Sequence, residues 1–405
     1  MKIVVAHTGA RRGYAVPSIL ETAGLLEAFY TDICAETGLG KIASTAAKLG
    51  ITDPRLRRLA GRRLPSNLVA KTQTFYRPTL NDYLLQRQRR DPTESYRAHL
   101  LWQSELGNRM AKRGFGKADW LHAFLDEFPT LITAAKKRGL RVVSEVYILL
   151  SSDRILRDER KAFPGWEDDA PDFEKIYREM IGERVLVTQS DYLLCPSEAV
   201  RDDVVENFGF SAARTRIVPY GVAESWFQVE NKPKRGRVLF AGAADLRKGI
   251  HYLAMAAEKL NARGIRCEFR VAGNVRPSVA RQESCRHLTF LGRVPRDQIA
   301  AEFAVADVFV LPSLAEGSAG VTYEALAAGV PVITTKAAGS VVCDGIGGRV
   351  VAERDADAIA SAIEDIVGNR EKRERMASAA RECAKGFTWE RYGERLVAIL
   401  RGLGR

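Results

Sequence analysis

The 405-residue sequence lacks the patterns that mark several large classes of protein. Its apolar runs, such as residues 146–150, have the length of a strand, whereas a membrane-spanning helix needs about 20 apolar residues. The six cysteines include no CxxC pair and no histidine at ligand spacing, so they indicate neither a zinc site nor a disulfide framework. The GxGxxG fingerprint and the GxxxxGK(S/T) loop are also absent. We therefore expect a protein without a metal or a cofactor, in a reducing, cytoplasmic setting.

The composition is that of an ordinary globular protein, with 46% hydrophobic and 28% charged residues. At roughly 100–200 residues per domain, the length predicts two or three domains. Lysine and arginine number 62 against 50 aspartate and glutamate residues, which gives a formal net charge of +12. Such a surplus suits an anionic lipid surface, a phosphorylated substrate or a nucleic acid, so its distribution along the chain decides between them.

Much of the positive charge lies between residues 41 and 117, in a set of arginines with few acidic neighbours: Arg55, Arg57, Arg58, Arg62, Arg63, Arg87, Arg89, Arg90 and Arg97. Leu56 and Leu59 are spaced as on an amphipathic helix. The segment is divided into short helical pieces by four prolines, Pro54, Pro65, Pro78 and Pro92. Two interpretations are equally supported, a solvated helical insertion and a surface that contacts an anionic membrane. Nucleic acid is not expected as a partner, because no recognised motif accompanies the charge.

Short apolar runs alternate with segments of helical periodicity, which is typical of parallel sheets built from βαβ units and predicts an α/β protein. The first series of predicted strands is residues 2–6, 120–123, 141–144, 192–195 and 216–218. The second series is residues 238–241, 267–272, 288–291, 308–311 and 332–334. The polar segment 228–236 has no periodicity and contains proline and glycine, so it predicts a boundary between two domains.

Ligands of open α/β sheets bind at the carboxyl ends of the strands, so the loops at those ends are candidate sites. In the first such loop, Gly13 either lets a substrate approach the backbone closely or forms a tight turn. In residues 311–333 a buried strand leads into a turn of small residues and then a helix that ends at Gly329. Glu316 lies in the turn and Glu324 eight positions later, so two carboxylates can serve one ligand, although Glu316 also suits a helix cap. The N–H groups that begin this helix suit a diphosphate or sugar hydroxyls.

These residues resemble the E-x7-E signature of the retaining glycosyltransferases of family 4, with Glu316 and Glu324 as the two acids. The flanking segments 306–313 and 324–333 are also similar to that family. Further similar segments are residues 195–198 (CPSE), 218–222 (VPYGV), 239–242 (LFAG), 248–249 (KG) and 290–294 (FLGRV). The resemblance covers most of residues 190–345, whereas residues 30–118 contain no motif that we can assign.

The resemblance implies the GT-B fold, in which two Rossmann-like domains face each other across a cleft. We expect an acceptor-binding domain at 1–227 with a basic helical insertion around 40–117, a nucleotide-sugar-binding domain at 228–386, and a helix at 387–405 that packs back on the first domain. The implied activity is metal-independent transfer of a sugar, with retention, from a UDP- or GDP-sugar. The implied acceptor is a glycan or lipid-linked hydroxyl, in polysaccharide or glycolipid assembly at the inner face of the membrane.

The resemblance also assigns roles to individual residues. Glu324 corresponds to the acid that holds the ribose diol of the donor, and Glu316 to the acid that contacts the donor sugar. Lys248 corresponds to the lysine that neutralises the leaving diphosphate, a role that suits a fixed cation, although a surface lysine is the alternative. The backbone expected to line the sugar and the diphosphate comprises Gly317, Ser318, Ala319, Gly320 and Val321.

The family usually has an arginine directly after the glycine of the first donor-domain strand, where this chain has Ala243. We expect Arg247 to supply the missing cation.

His122 resembles a strand-end histidine that in this family faces the donor sugar near the reacting carbon. It completes an expected catalytic set with Lys248 and Glu316, although a lone histidine is by residue type more often structural. Asp126 and Glu127 follow closely and either orient the His122 ring or are exposed loop acids.

Other functions stay open at the level of sequence. One alternative is a related GT-B enzyme that isomerises or hydrolyses nucleotide sugars. Another is a non-catalytic basic protein that associates with a membrane or a nucleic acid and retains the fold. Substitution of Lys248 or Glu316 distinguishes the second alternative from an enzyme, because only an enzyme loses turnover by orders of magnitude.

Overall fold

The computed structural model describes residues 1–48, 59–86, 91–295 and 297–404. A first sheet has seven strands in the order β3-β2-β1-β4-β5-β6-β7, and all neighbouring strands run parallel. Its strands are β1 Ile3–Ala6, β2 Leu26–Thr31, β3 Thr72–Thr74, β4 Trp120–Phe124, β5 Arg141–Glu145, β6 Tyr192–Cys195 and β7 Thr215–Ile217. The chain order reverses between β1 and β4, as in doubly wound folds.

A second sheet has six parallel strands in the order β10-β9-β8-β11-β12-β13. Its strands are β8 Arg237–Ala241, β9 Glu268–Ala272, β10 Leu288–Gly292, β11 Val308–Leu311, β12 Val332–Thr335 and β13 Gly348–Val351. Here the order reverses between β8 and β11. We call the two sheets, each with its connecting helices, the first lobe and the second lobe.

Helices connect the strands in both lobes. Those of the first lobe are Ala15–Thr22, Gly38–Lys48, Tyr76–Gln86, Pro92–Arg113, Pro129–Lys137, Ser152–Ala162, Phe173–Met180, Val185–Gln189 and Glu198–Glu206. Those that follow are Ile250–Ala262, Pro277–Ala280, Ile299–Val305, Gly320–Ala327, Ala356–Gly368, Arg370–Ala384 and Trp389–Leu403. The strands supply the most deeply buried apolar side chains, as expected for sheets covered on both faces.

The expected α/β architecture of two Rossmann-like units is confirmed. Each of the ten predicted strands is present, with ends that differ from the prediction by at most one residue. The strands that the sequence did not reveal are β2, β3 and β13.

The segment expected as a basic helical insertion is only partly helical. Asp91 caps its longest helix by accepting a hydrogen bond from Thr93 N at 3.0 Å, and Pro92 takes the first helical position, where no N–H is needed. Within the same segment β3 pairs with β2 and so forms the edge of the first sheet. Some of the predicted features lie outside the described residues: Pro54, Arg55, Leu56, Arg57, Arg58, Arg87, Arg89 and Arg90.

The final helix, Trp389–Leu403, leaves the second lobe and lies on the first. Arg141 donates from Nη1 to Leu403 O at 2.9 Å, and Val222 N donates to Phe387 O at 2.8 Å. The chain therefore crosses between the lobes twice, near residues 218–236 and near residues 385–389, and the two crossings are hydrogen-bonded to each other.

The helix Ser152–Ala162 of the first lobe reaches the second lobe through one carboxylate, that of Glu159, whose side chain is 2% exposed. His251 Nε2 lies 2.8 Å from Glu159 Oε1, and Tyr252 OH donates to the same oxygen at 2.6 Å. Arg354 Nε donates to Glu159 Oε2 at 2.8 Å. These three hydrogen bonds lower the pKa of Glu159 in spite of its burial, so the carboxylate stays charged and holds the lobes together.

Candidate active site

The loops that follow β8 and β11 lie side by side, because these strands are neighbours in the second sheet. The β8 loop turns where Lys248 N donates to Asp245 Oδ1 at 2.9 Å. The carbonyl of Arg247 accepts a hydrogen bond from Leu314 N at 2.8 Å. This backbone hydrogen bond joins the β8 loop, which carries the predicted cations Arg247 and Lys248, to the β11 loop, which carries Glu316.

Three predicted site residues come together between these loops. Lys248 Nζ lies 2.7 Å from Glu316 Oε1, and the Arg247 guanidinium is also bonded to the Glu316 carboxylate. The side chains of Lys248 and Glu316 are 11% and 12% exposed, and that of Arg247 is 27% exposed. Two cations are therefore held by one acid in a site largely shielded from water, where their charge acts more strongly than at the surface.

The turn after Glu316 meets the main chain of the first lobe. A Cβ at Gly317 would lie 1.7 Å from Tyr147 O, so only glycine allows this approach. Gly317 O also accepts a hydrogen bond from Ser197 Oγ at 2.6 Å. The N–H of Ala319 donates to Ala338 O at 3.0 Å and is not available to a ligand, contrary to its expected role. Part of the turn therefore forms a seam between the lobes.

Beyond this turn the helix Gly320–Ala327 begins, and the N–H groups of Gly320 and Val321 belong to its first turn, where intrahelical acceptors are lacking. Ser318 Oγ and Tyr323 OH share a hydrogen bond of 2.7 Å, so the Ser318 hydroxyl already has a partner. Glu324 lies on the second turn of the helix and is partly exposed. The convergence of Glu324 on the cation cluster stays a prediction.

The loop after β1 has a rare backbone conformation. Arg12, Gly13 and Tyr14 have φ values of 46°, 63° and 63°, all in the left-handed region. A Cβ at Gly13 would meet nothing within 4 Å, so there is open space beside this residue. The structure thus leaves room for a ligand at Gly13, as its predicted role requires.

This loop also presents two arginines that sequence reasoning did not select. Arg12 forms an ion pair of 2.5 Å with Glu145, and its guanidinium lies 3.5 Å from the centre of the Tyr220 ring. Tyr220 OH donates to Glu145 Oε1 at 2.9 Å. Arg11 is ion-paired with Glu127. The sequence feature that could have revealed them is the pair of consecutive arginines before a glycine in the first βα loop. Their ion-pair partners could not be predicted, because these are distant in sequence.

His122 does not occupy the expected position at a strand end. Strand β4 continues two residues further, to Phe124, and the His122 side chain is 0% exposed. Its two ring nitrogens have no hydrogen-bond partner among the described residues. Burial lowers the pKa of His122 to about 4, so the ring is neutral near pH 7. The ring is enclosed by other residues of the first lobe, and its expected contact with the donor sugar stays a prediction.

Asp126 and Glu127 serve neither of the roles considered for them, since they are ion-paired within the first lobe. Asp126 is bonded to Arg184, and Glu127 to Arg11. Glu127 Oε2 also accepts a hydrogen bond from Thr8 N at 2.8 Å. Burial raises the pKa of both carboxyl groups, and the paired arginines oppose this effect.

A cavity of about 350 Å³ in the first lobe lies beside these ion pairs, at the carboxyl ends of β1, β4 and β5; we call it the polar cavity. It is lined by Thr8, Arg11, Tyr96, His99, Leu100, Gln103, Leu125, Asp126, Glu127, Tyr147, Ile148, Leu149, Leu150, Ser152, Asp153 and Arg184. Four of these residues, Tyr96, His99, Leu100 and Gln103, come from the helix Pro92–Arg113 of the basic insertion. Its size and mixed lining are those of a small-molecule site.

All six cysteines are free. Within the described ranges, no three histidine, cysteine or acidic side chains converge in a way that would hold a metal ion. No helix in the same ranges is both long and apolar enough to cross a bilayer.

Two family models match the chain in tandem. The model described as glycosyltransferase family 4 matches residues 57–226, and the model described as glycosyl transferases group 1 matches residues 222–383. The first match begins within the segment 30–118, in which the sequence alone offered no motif.

Several curated proteins are similar to this chain in sequence. A glycogen synthase of Mycobacterium tuberculosis is 28% identical over 220 residues, which cover 51% of this chain and 53% of that protein. A D-inositol 3-phosphate glycosyltransferase of Corynebacterium urealyticum is 28% identical over 251 residues, which cover 55% of this chain and 59% of the relative. The chain thus spans just over half the length of these curated relatives.

Two solved structures resemble the whole chain. HepE of Anabaena, in complex with UDP, is 15% identical with a TM-score of 0.63, and the match covers 99% of this chain and 100% of the other. Sucrose-phosphate synthase of Thermosynechococcus elongatus is 17% identical with a TM-score of 0.63, and the match covers 100% and 99% of the two chains. At these identities the likeness establishes a common fold of two facing lobes.

Proposed function

Because the chain belongs to the family 4 glycosyltransferases of the GT-B fold, we propose that it is a retaining, metal-independent glycosyltransferase. In this proposal the second lobe, residues 228–386, binds a nucleotide diphosphate sugar, and the first lobe, residues 1–227, binds the acceptor. The helix at 387–405 completes the first lobe. The observation that carries the proposal is the cluster of Arg247, Lys248 and Glu316 between the β8 and β11 loops.

The reaction exchanges one bond at the anomeric carbon of the donor sugar for another. The bond from this carbon to the β-phosphate oxygen breaks, and the oxygen of an acceptor hydroxyl bonds to the same face of the sugar. The hydroxyl proton passes to the departing diphosphate, so the products are a glycoside and a nucleoside diphosphate. We favour this same-face course because the sequence reveals no pair of carboxylates of the glycosidase type, and because the family resemblance implies retention.

The cation cluster supplies what the departing diphosphate needs. Negative charge grows on the β-phosphate as the bond breaks, and Lys248 is already fixed by its contact with Glu316. Arg247 lies at the same carboxylate and takes the place of the arginine that the family has where this chain has Ala243. Glu316 additionally accepts hydrogen bonds from the sugar hydroxyls, and Glu324 from the ribose.

Lys248→Gln and Glu316→Gln test this proposal, with Lys259→Gln as the matched control. Lys259 lies on the adjoining helix and pairs with Asp357 at the surface. The donor is first found by thermal stabilisation with a panel of UDP- and GDP-sugars, since a ligand at 100 times its Kd adds about 2.7 kcal/mol. We expect kcat/KM to fall by about 10²–10³ in both site variants and to stay unchanged in the control. Full activity of Lys248→Gln would refute the proposed role of the cluster.

Analysis of the products separates transfer from the two enzymatic alternatives. A transferase forms a glycoside with an acceptor, whereas a hydrolase releases the free sugar and an isomerase returns a new nucleotide sugar. The names of the curated relatives refer to two kinds of molecule, glycogen in one case and D-inositol 3-phosphate in the other, so both neutral and phosphorylated acceptors belong in the assay.

We further propose that the basic insertion contacts an anionic membrane surface, as suits a lipid-linked acceptor. Four of the five strongly exposed large hydrophobic residues of the described chain belong to this segment: Ile42, Val69, Leu80 and Leu101. Arg77, Lys112 and Arg113 line a groove of about 430 Å³ beside Phe75 and Tyr76 in the same segment. Apolar side chains that enter the interface and cations worth about 1 kcal/mol each act together in such contacts.

Sedimentation with vesicles tests this contact. We expect binding to vesicles of phosphatidylcholine with phosphatidylglycerol, weaker binding to phosphatidylcholine alone, and release at high salt. Leu101→Ser, at a side chain 62% exposed, weakens binding, whereas Ile346→Ser in the second lobe, at 58% exposed, is the control and does not. Equal binding by the two variants would show that the insertion is merely a solvated surface.

A further inference from the structure

The polar cavity lies next to the proposed donor site. Tyr147 lines the cavity, while its carbonyl packs against Gly317 in the turn directly after Glu316. Its OH group accepts a hydrogen bond from Arg11 Nη2 at 3.1 Å, so the residue is held from both lobes. The peptide that joins Tyr147 to Ile148 therefore lies between the cavity and the donor loop.

The cations in the wall of the cavity are already paired with carboxylates. Arg11 is paired with Glu127 and Arg184 with Asp126, and Asp153 adds a third carboxylate. Two cations and three carboxylates give a formal charge of −1 with histidine neutral. A phosphate group would have to share each arginine with the carboxylate that is already ion-paired to it, and it would meet excess negative charge there.

The buried side-chain atoms of the cavity lining that lack a hydrogen-bond partner among the described residues are two acceptors and one donor, Arg11 Nε. Gln103 is 3% exposed, and its Oε1 has no partner among the described residues. Asp126 Oδ1 likewise has no hydrogen-bond partner there, while its other oxygen is bonded to Arg184. Buried acceptors without a donor are costly, so a ligand that donates hydrogen bonds is favoured. Hydroxyl groups donate, whereas a phosphate dianion only accepts.

We propose that the polar cavity binds the acceptor, and that the acceptor unit bound there is an uncharged polyhydroxyl ring rather than a phosphorylated one. This inference rests on the proposed glycosyltransferase function and specifies its substrate class. The helix Pro92–Arg113 acts as the selecting element, because Gln103 on that helix supplies one of the two unsatisfied acceptors.

Matched pairs of compounds test the proposal directly. The neutral members are methyl α-glucoside, methyl α-mannoside and myo-inositol, and the phosphorylated members are glucose 6-phosphate, mannose 6-phosphate and inositol 3-phosphate. Calorimetry on the full chain with UDP or GDP gives the Kd of each compound, and the rate of nucleoside diphosphate release gives its activity as an acceptor. We expect the neutral member of at least one pair to bind about tenfold more tightly than its phosphorylated counterpart.

A charge reversal in the wall provides the variant, and the same reversal outside it provides the control. Asp153→Lys changes the formal charge of the cavity from −1 to +1, and we expect it to shift the preference towards the phosphorylated member by about tenfold or more. Asp158 lies on the same helix, is 66% exposed and is not part of the cavity wall. Asp158→Lys should keep the preference of the natural chain.

The outcomes of these experiments distinguish a failure of this inference from a failure of the proposed function. Tighter binding of the phosphorylated member by the natural chain overturns the inference even when sugar transfer proceeds. Lack of binding by every compound also overturns it, since the cavity would then not be an acceptor site. If donor binding and turnover fail in all assays, the proposed function falls, while a neutral preference in calorimetry that Asp153→Lys reverses still supports the assigned ligand class.

Discussion

The position of Lys248 depends on the residue that follows it. Gly249 has a φ of +71°, and a Cβ at this residue would lie 2.0 Å from Pro312 O. The turn can therefore close only because the β11 loop approaches a residue without a side chain. The packing of the backbone in this turn therefore fixes the point from which the Lys248 side chain extends.

Gly249→Ala should consequently be more damaging than an alanine at a similar but uncrowded glycine. Gly264 has a φ of +73°, and a Cβ there would meet nothing within 4 Å. We expect Gly264→Ala to cost about 1–2 kcal/mol from backbone strain. Overlap with Pro312 should add about 1–3 kcal/mol in Gly249→Ala, together with a loss of turnover. Urea unfolding measures both values, and equal destabilisation would contradict the close approach.

Arg247→Ala and Lys248→Ala separate the contributions of the two cations. Both side chains contact Glu316, but Lys248 is the more deeply buried, at 11% against 27% exposed. We therefore expect Lys248→Ala to reduce kcat/KM by about 10²–10³ and Arg247→Ala by a smaller factor. Steady-state kinetics over a range of donor concentrations provide the comparison. Unchanged kinetics in Arg247→Ala would remove Arg247 from the site.

At the level of the helix, Glu159 decides how Ser152–Ala162 is joined to the second lobe. Glu159→Ala leaves His251 and Tyr252 buried without their shared acceptor, and Arg354 without its carboxylate. Removal of one partner from a buried ionic contact costs about 3–5 kcal/mol, so we expect a clear fall in Tm. Asp158→Ala, one position earlier on the same helix and exposed, should leave Tm nearly unchanged. A fall of similar size in both variants would refute the assigned contact.

The elements that the sequence revealed and those that it concealed differ in a physical way. Strands β8 and β11 were predictable because they are central and buried on both faces, and therefore form continuous apolar runs. Strand β3 is a three-residue edge strand of sequence Thr-Gln-Thr, with no apolar run to mark it. Only its pairing with β2 makes it a strand, and pairing between distant segments is not visible in a local pattern.

The candidate site shows the same limit. The E-x7-E spacing singled out Glu316, and the Lys-Gly pair singled out Lys248, because each motif is a short stretch of consecutive sequence. The burial of His122 could not be read from the sequence, since it depends on where β4 ends and on the side chains that cover it. The pairing of Arg12 with Glu145 likewise joins residues more than 130 positions apart.

For the whole molecule, buried histidines predict a loss of stability in acid. Burial lowers the pKa of His122 to about 4 and that of His7 to about 3, against 6.5 in an unfolded chain. Between pH 6.5 and about 4 the unfolded chain therefore binds a proton at His122 that the folded chain excludes. This contribution to stability is complete above pH 6.5 and is lost as the pH falls, by about 1.4 kcal/mol per pH unit for each histidine.

A comparison with His122→Gln isolates this effect from the nearby charges of Arg12 and Glu145 and from the other titrating groups. Urea unfolding at pH 7 and pH 5 should show a steeper decline for the natural chain, by about 1.4 kcal/mol per pH unit. Parallel pH profiles would show that His122 is protonated as readily in the folded chain as in the unfolded one.

The pair of crossings between the lobes constrains how the cleft can open. Val222 near the first crossing is hydrogen-bonded to Phe387 near the second, so the two connecting segments define a common line. Rotation about this line parts the lobes, whereas twisting them against each other strains both segments at once. The opening that releases a product would then be a rotation described by one angle. One pair of spectroscopic probes, one on each lobe, would suffice to follow it.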